Sequence, residues 1–332
     1  MTVGYFCLGA LDLLGEIPTI PDEDRQAYID WIYAQQIHPE VPGSAHCGFR
    51  GGSYAGAPYS PDASLSANSG DSAHITMTYT ALACLLILGD DLSRVKRVSI
   101  ITTMKQLQQP NGSFIPYAGS DESDMRFLYC ACATSYILND WRGINRDLAV
   151  KYIVDSQTYE AAFGQAPGQE AHGGSTYCAI ASLHLMGRLG ELKSRDALVY
   201  WLLTRQEGGF NGRPNKASDT CYSFWVGSSL EMLGAYEFVD IKALRRFLDS
   251  THSKHGGFGK EPGDYPDLLH SYLGLSGLAI TQTTPSIRHL HTPTGLSEET
   301  LKHLKTVEAW STRDGQIDKL TETFGQKMAI NT

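Results

Sequence analysis

The 332-residue sequence predicts an all-α protein: a single α/α barrel over residues 1–332, in which inner and outer helices alternate around a cavity. Three observations carry that prediction. A glycine–phenylalanine pair, or a near variant, recurs at Gly48-Phe49, Gly112-Ser113-Phe114, Phe163-Gly164, Gly209-Phe210 and Gly257-Phe258, with phenylalanines 65, 49, 47 and 48 residues apart. Two kinds of helical stretch alternate between these pairs. Runs of alternating β-branched residues, the mark of half-buried strands, are nearly absent. Length alone allows two domains, but self-similarity at a fixed period marks a single repeat architecture.

The elements follow in order. Residues 1–14 are apolar, interrupted by Asp12, and lack a basic leading region. They read as a core helix that begins abruptly, with its leader trimmed or absent, and not as a signal peptide. Stretches 74–88, 125–138, 174–186, 220–233 and 266–280 are rich in Ala, Ser, Cys, Gly and aromatics. With little charge on any face, they are expected to be buried inner helices. Stretches 93–108, 145–157, 191–206 and 241–252 carry a charged face and are expected outside them. Val95, Val98, Ile101 and Leu107 show the helical spacing in the first of these. Each unit of about 48 residues is thus a helix pair joined by a Gly-rich turn, which accounts for 33 glycines in 332 residues. Small, aromatic-rich inner helices favour a closed ring over an open solenoid.

Composition narrows the function. Lys plus Arg total 27 against 36 Asp plus Glu, a formal charge of −9, which counts against a nucleic-acid-coating surface. No apolar run reaches the ~20 residues needed to span a bilayer; the longest candidate is 81–89. The seven cysteines, at 7, 47, 84, 130, 132, 178 and 221, form no Cys-x-x-Cys. They are expected to be reduced in a cytoplasmic protein.

The repeat also places chemistry. Arg126, Cys221 and His270 lie 12, 11 and 12 residues after Phe114, Phe210 and Phe258, at equivalent places at the start of their inner stretches. Equivalent positions in a ring converge on one mouth. Asp219-Thr220-Cys221 and His270 therefore bring a carboxylate, a thiolate and an imidazole together, three zinc ligands with a fourth position open. A lone histidine is commonly a hydrogen-bonded core residue, and Asp-x-Cys alone is a weak signal; the equivalent placement is what favours a metal. His172, Arg213, Lys216 and Lys260 sit on three consecutive turns, with Tyr222 directly after Cys221. Arginine with lysine suits a diphosphate, through forked hydrogen bonds plus a point charge. Tyr129, Tyr177, Cys178, Phe224 and Trp225 fall on inner stretches, either filling a core or lining a tunnel for a long apolar ligand. Together these features suggest transfer of the organic group of a hydrophobic diphosphate to a soft nucleophile.

The motifs Asp219-Thr220-Cys221-Tyr222-Ser223-Phe224-Trp225, Gly209-Phe210-Asn211-Gly212-Arg213-Pro214-Asn215-Lys216, His172-Gly173-Gly174-Ser175-Thr176-Tyr177-Cys178 and Asp124-Met125-Arg126-Phe127 resemble those of protein prenyltransferase β subunits. The resemblance covers nearly the whole chain. Asp71-Ser72-Ala73-His74-Ile75-Thr76-Met77-Thr78-Tyr79-Thr80 and Leu88-Gly89-Asp90-Asp91-Leu92 look like the type I, geranylgeranyl-transferring branch. It implies an α/α barrel working as an obligate heterodimer with a helical α subunit. It implies zinc on Asp219, Cys221 and His270, and diphosphate binding and charge stabilisation by His172, Arg213, Lys216, Tyr222 and Lys260. Lys260 stands where the farnesyl branch carries a magnesium-binding aspartate, so magnesium is not expected to be required. Thr2 stands where that branch carries a bulky tryptophan. Thr2, Phe6, Tyr129, Cys178 and Trp225 are implied lipid contacts, and His74, Thr76, Arg126, Phe127 and Leu269 peptide contacts. The implied substrates are geranylgeranyl diphosphate and C-terminal Cys-a-a-X tails, X being Leu or Phe, as on small GTPases. A farnesyltransferase β subunit, a terpene cyclase and a non-catalytic toroid are the alternatives. The cyclase would leave the Asp-Cys-His set unexplained, and its usual Asp-rich motifs are missing apart from Asp90-Asp91.

Overall fold

The computed structural model describes residues 1–38, 46–53 and 72–307. Asp71, at the head of one motif above, lies outside them. The described residues form twelve α-helices: α1 (Thr2–Leu14), α2 (Asp22–Tyr33), α3 (Ile75–Ile87), α4 (Arg97–Leu107), α5 (Met125–Ile137), α6 (Arg146–Asp155), α7 (Gly173–Leu185), α8 (Arg195–Leu203), α9 (Tyr222–Met232), α10 (Ile241–Thr251), α11 (Leu268–Thr281) and α12 (Glu298–Thr306). The odd-numbered helices pack in sequence, α1 on α3, α3 on α5, and on to α9 on α11; α11 then packs on α1 and closes the ring. The apolar segment at the N-terminus is thus the sixth inner helix. Nearly every residue of α3, α5, α7 and α9 is buried, as their composition requires. The outer helices bury only a stripe, such as Leu244, Leu248 and Thr251 of α10.

Among the described residues, strand structure is confined to three antiparallel pairs of two-residue strands: β1 (Gln36–Ile37) with β2 (Gly48–Phe49), β3 (Gln206–Glu207) with β4 (Gly209–Phe210), and β5 (Leu290–His291) with β6 (Leu296–Ser297). The first two pairs explain the phenylalanine repeat. Each repeated phenylalanine bridges a residue one to three positions past an outer helix: Gln36 to Phe49, Gln108 to Phe114, Gln157 to Phe163, Gln206 to Phe210 and His252 to Phe258. All five rings are at most 5% exposed. Two residues past four of these phenylalanines, a carbonyl accepts from the first turn of the preceding inner helix. These bonds are Ile75 N to Pro116 O (2.9 Å), Met125 N to Gln165 O (2.9 Å), Gly173 N to Gly212 O (2.8 Å) and Thr220 N to Lys260 O (3.0 Å). They satisfy donors that a helix start leaves unpaired and tie each rim loop to the neighbouring repeat.

The helix boundaries match the expected ones to within a few residues. One sequence reading is corrected. The buried stripe of α4 is Ile100, Ile101, Thr103, Met104 and Leu107, whereas Val98 is 45% exposed. α4 begins only at Arg97, so Val95 precedes the helix and the spacing counted from it misplaces Val98. Among the described residues no helix is long and apolar enough to cross a membrane. None of the seven cysteines forms a disulfide.

Candidate active site

The site grows out of helix capping. The residue before α3, α5, α7 and α11 turns a side-chain acceptor onto the first free backbone N–H groups, and Asp219 makes the equivalent bond three residues before α9. His74 Nδ1 accepts from Thr76 N (3.1 Å), Asp124 Oδ1 from Arg126 N (2.9 Å) and His172 Nδ1 from Gly174 N (3.1 Å). Asp219 Oδ1 accepts from Cys221 N (2.8 Å) and Asp267 Oδ1 from His270 N (2.9 Å). These five acceptors stand in register on one rim.

Asp219, Cys221 and His270 each offer a ligand atom, all within 4.8 Å of one another. His270 Nε2 faces Asp219 Oδ1 at 3.3 Å, and its Nδ1 donates to Asp267 Oδ2 at 2.6 Å. The side chains of His270 and Asp219 are each 14% exposed. Burial pushes the Cys221 thiol well above its ordinary range, and the Asp219 carboxylate pushes it further. Burial also raises Asp219, but the bonds from His270 and Cys221 outweigh it and leave that carboxyl below its ordinary value. For His270 burial favours the neutral ring, yet the contacts with Asp219 and Asp267 prevail and raise its pKa. A carboxylate, a buried thiol and an imidazole nitrogen facing one point form a set that a divalent cation completes. It would replace the proton between Nε2 and Oδ1 and compensate the thiolate. This donor set fits zinc.

The diphosphate candidates flank this centre. His172 Nδ1 is occupied as a cap acceptor, so in the neutral ring the proton sits on Nε2, 2.9 Å from Tyr222 Oη. Burial, then the Arg213 guanidinium, keeps the ring neutral by lowering its pKa. Nε2–H therefore donates to the Tyr222 oxygen, and the Tyr222 hydroxyl proton is free to point elsewhere. Burial raises the Tyr222 pKa and keeps that proton in place. A Cβ on Gly212 would lie 2.2 Å from the Tyr222 ring and 2.3 Å from its hydroxyl, so glycine is required for this approach. Arg213 pairs with Glu170 at 2.7 Å and Lys260 with Glu261 at 3.0 Å. The Glu261 pairing raises the Lys260 pKa, with a smaller contribution from Asp219; the Lys260 carbonyl accepts from Thr220 N at 3.0 Å, between Asp219 and Cys221 in the chain. Lys216 stands exposed on the Arg213 turn.

Of the lipid candidates, Phe6 stacks on Tyr272 (centroids 5.9 Å apart) and Trp225 packs edge-on against Tyr177 (5.0 Å). Tyr129 and Cys178 are buried on α5 and α7. Thr2 is half-buried at the α1–α3 seam, its Oγ1 3.4 Å from Met77 Sδ. The peptide candidates divide. The His74 ring meets Phe127 edge-on at 6.0 Å, and the Arg126 guanidinium lies 5.4 Å from the Phe127 ring centre. Thr76 Oγ1 lies 3.5 Å from Cys130 Sγ, while Leu269 sits half-buried on α11 beside His270. Arg126 does not join Cys221 and His270: it is held by Asp124 (2.6 Å) and Glu122 (2.7 Å). Sequence reasoning missed the roles of Asp267 and Glu170. An aspartate three residues before a histidine at a helix start was the available signal for the first.

Comparison with known proteins agrees with this geometry. Residues 1–312 match the prenyltransferase alpha-alpha toroid domain. The chain is 41% identical over 299 residues to the geranylgeranyl transferase type-1 subunit beta of Dictyostelium discoideum, covering 86% of this chain and 84% of that one. It is 40% identical over 298 residues to the Arabidopsis thaliana protein of the same name, covering 85% and 78%. The solved structure of Candida albicans protein geranylgeranyltransferase-I complexed with GGPP superposes with a TM-score of 0.81 at 26% identity, over 92% of this chain and 91% of that one. With its ring of paired helices and an Asp-Cys-His set on one rim, the chain belongs to the prenyltransferase toroid family, in the group of type-1 geranylgeranyl transferase β subunits.

Proposed function

We propose that the chain is the catalytic β subunit of a zinc-dependent type I protein geranylgeranyltransferase. It acts in the cytoplasm as a heterodimer with an α subunit. It transfers the geranylgeranyl group from its diphosphate to the cysteine of C-terminal Cys-a-a-X tails with Leu or Phe at X. The observation that carries this reading is the convergence of Asp219, Cys221 and His270 with the His172–Tyr222 pair, Arg213 and Lys260 on one rim.

Asp219, Cys221 and His270 would hold zinc, which would keep a substrate thiol ionised at neutral pH. The sulfur–C1 bond forms as the C1–oxygen bond breaks, and charge gathers on the departing diphosphate. Tyr222, with its proton freed by His172, donates to that oxygen. Arg213 and Lys260 leave their carboxylate partners for the diphosphate, and Lys216 adds a third cation on the same turn. Such preorganised donors act where charge develops. Lys260 supplies a fixed positive charge in the place of a magnesium ion. Phe6, Trp225, Tyr129 and Cys178, with Thr2 at the seam, hold the prenyl chain. His74, Thr76, Arg126, Phe127 and Leu269 border the peptide.

The test is a transfer assay on the heterodimer with a Cys-a-a-Leu peptide and no added magnesium. Geranylgeranyl incorporation is expected to dominate, with about one zinc per β subunit. Farnesyl preference together with a magnesium requirement would replace this reading with the farnesyl one.

A further inference from the structure

Two of the rim cations carry a carboxylate partner. Arg213 Nη1 pairs with Glu170 Oε2 at 2.7 Å, across 43 residues of sequence, and Lys260 Nζ pairs with Glu261 Oε1 at 3.0 Å. Both carboxylates stand outside the Asp-Cys-His set. A site built to hold a diphosphate thus keeps two negative charges on the groups that would bind it.

The backbones that carry these four residues are pinned. Gly212 O accepts from Gly173 N at 2.8 Å, and Lys260 O accepts from Thr220 N at 3.0 Å. Glu261 is held in a turn: Asp264 N donates to Glu261 O at 3.1 Å, and Glu261 N donates to Asp264 Oδ2 at 3.3 Å. Glu170 lies two residues before His172, the cap of α7. Burial, then Arg213, lowers the His172 pKa, and Glu170 acts the other way. Both members of that pair therefore act on the ring that orients Tyr222. The side chains of both pairs are about half exposed. Exposed ion pairs contribute at most about a fivefold factor each to an equilibrium. Such a pair gives way to an incoming diphosphate, yet the pinned backbone keeps the displaced carboxylate at the rim.

Transfer changes the anion held there. The thiol gives its proton to solvent, the sulfur–C1 bond forms, and the C1–oxygen bond breaks with its electron pair left on oxygen. Inorganic diphosphate therefore has one more ionisable oxygen than its prenyl ester, and it has lost the apolar chain. A displaced carboxylate repels this product more than it repels the substrate. We propose that Glu170 and Glu261 are returning counter-ions, which recapture Arg213 and Lys260 after transfer and expel inorganic diphosphate from the rim. They are positioning residues, acting through the two cations. That role rests on the prenyl-transfer reading above.

The test uses inorganic diphosphate as the probe, on the αβ heterodimer in magnesium-free buffer. Glu170→Gln and Glu261→Gln keep the side-chain shape and remove the charge. Calorimetric binding of diphosphate is expected to tighten at least fivefold in the double variant. The KM for geranylgeranyl diphosphate is expected to fall by less, so the ratio of diphosphate Ki to that KM drops at least twofold. Added salt should narrow the gap between wild type and double variant, a response that a merely structural change would not give. Diphosphate binding less than twofold tighter in the double variant, or weaker, would overturn the proposal; weaker binding would show that the carboxylates aim the cations instead. Equal tightening for substrate and product would overturn the expulsion role. If the wild-type heterodimer transfers no prenyl group, the functional reading fails by itself. The diphosphate titration then still decides whether the two carboxylates compete for Arg213 and Lys260.

Discussion

Asp267 answers two demands with two oxygens: Oδ1 caps α11 at His270 N (2.9 Å), and Oδ2 accepts from His270 Nδ1 (2.6 Å). Asp267→Asn leaves one carbonyl oxygen for both. If that oxygen keeps the cap, the amide NH₂ faces Nδ1 and the ring proton moves to Nε2, the atom the metal needs. If the amide flips, the tautomer survives and the helix start loses its acceptor. Loss of an outer partner of a metal-ligating histidine typically costs 10–100-fold in metal affinity. Loss of a cap costs about 1 kcal/mol of stability. The expected result is one loss or the other, with zinc affinity down at least tenfold in the first case. Asp267→Ala removes both oxygens and should show both losses. Zinc affinity is read by competition against a chromophoric chelator on the heterodimer, and stability by urea titration of the same samples. Zinc affinity within twofold of wild type and unchanged stability in both variants would refute the double role of Asp267.

Four other outcomes are expected. Lys260→Asp should slow transfer in magnesium-free buffer and regain part of the rate when magnesium is added; equal rates in both buffers would remove Lys260 from the reaction. Gly212→Ala should displace Tyr222 from His172 and lower kcat about tenfold or more, since one lost donor to a developing oxyanion costs that much; an unchanged kcat would show that Tyr222 contributes nothing to the departing group. Phe163→Ala should cost about 3–5 kcal/mol, the usual figure for an emptied aromatic core site, and a urea midpoint close to wild type would contradict the bracing role of the phenylalanine repeat. Burial, then the charges of His184 and Lys305, lowers the His291 pKa to about 4 from 6.5. The unfolded chain thus binds this proton first, so its contribution is complete above pH 6.5 and is lost as pH falls to about 4, roughly 3 kcal/mol in all. His291→Gln should flatten urea stability between pH 7 and pH 4, and an unaltered slope would assign the acid loss to other groups.

The sequence made the repeat legible because its phenylalanines are held by the same bridge in every unit, so spacing and structure report one constraint. Inner and outer helices were equally legible, since burial on all faces leaves little charge anywhere along a helix. Closure itself was expected from the small, aromatic-rich inner helices, but which helices meet to complete the ring was not legible. The contact of α1 with α11 joins the two ends of the described chain, and no local pattern encodes it. The metal set could be read because Cys and His are unusual at a helix start. Arg126 was grouped with them on spacing alone. Its partners Asp124 and Glu122 show that the same slot can close on itself when a carboxylate lies two residues away. The set formed by Tyr79, Tyr129, Tyr177 and Tyr272, each five residues after a rim cap, was overlooked because each tyrosine, taken singly, is an ordinary core residue. Only its fixed offset from the cap reveals the set.

That offset explains why chemistry gathers on one rim. A cap needs an acceptor, and both residue types used here retain a second polar atom after capping. Asp124 turns its Oδ2 to Arg126 (2.6 Å) and Gln165 (2.6 Å), His172 turns Nε2 to Tyr222, and Asp267 turns Oδ2 to His270. Asp219, three residues before α9, faces His270 through the same Oδ1 that accepts from Cys221 N. At Asp124, His172 and Asp267 the atoms turned to the rim are therefore what helix capping leaves over, whereas Asp219 uses one oxygen twice. The repeat delivers them in register, and the identity of the residue two or three positions on decides the outcome. An arginine there makes a closed ion pair, whereas Cys221 and His270 make a metal set. Cys221→Ser, nearly isosteric, should accordingly weaken zinc binding at least tenfold and leave the bond from the residue 221 N–H to Asp219 Oδ1 in place, with urea stability within about 1 kcal/mol of wild type. If the helix unfolded instead, capping and ligation would be one function of Asp219 and not two.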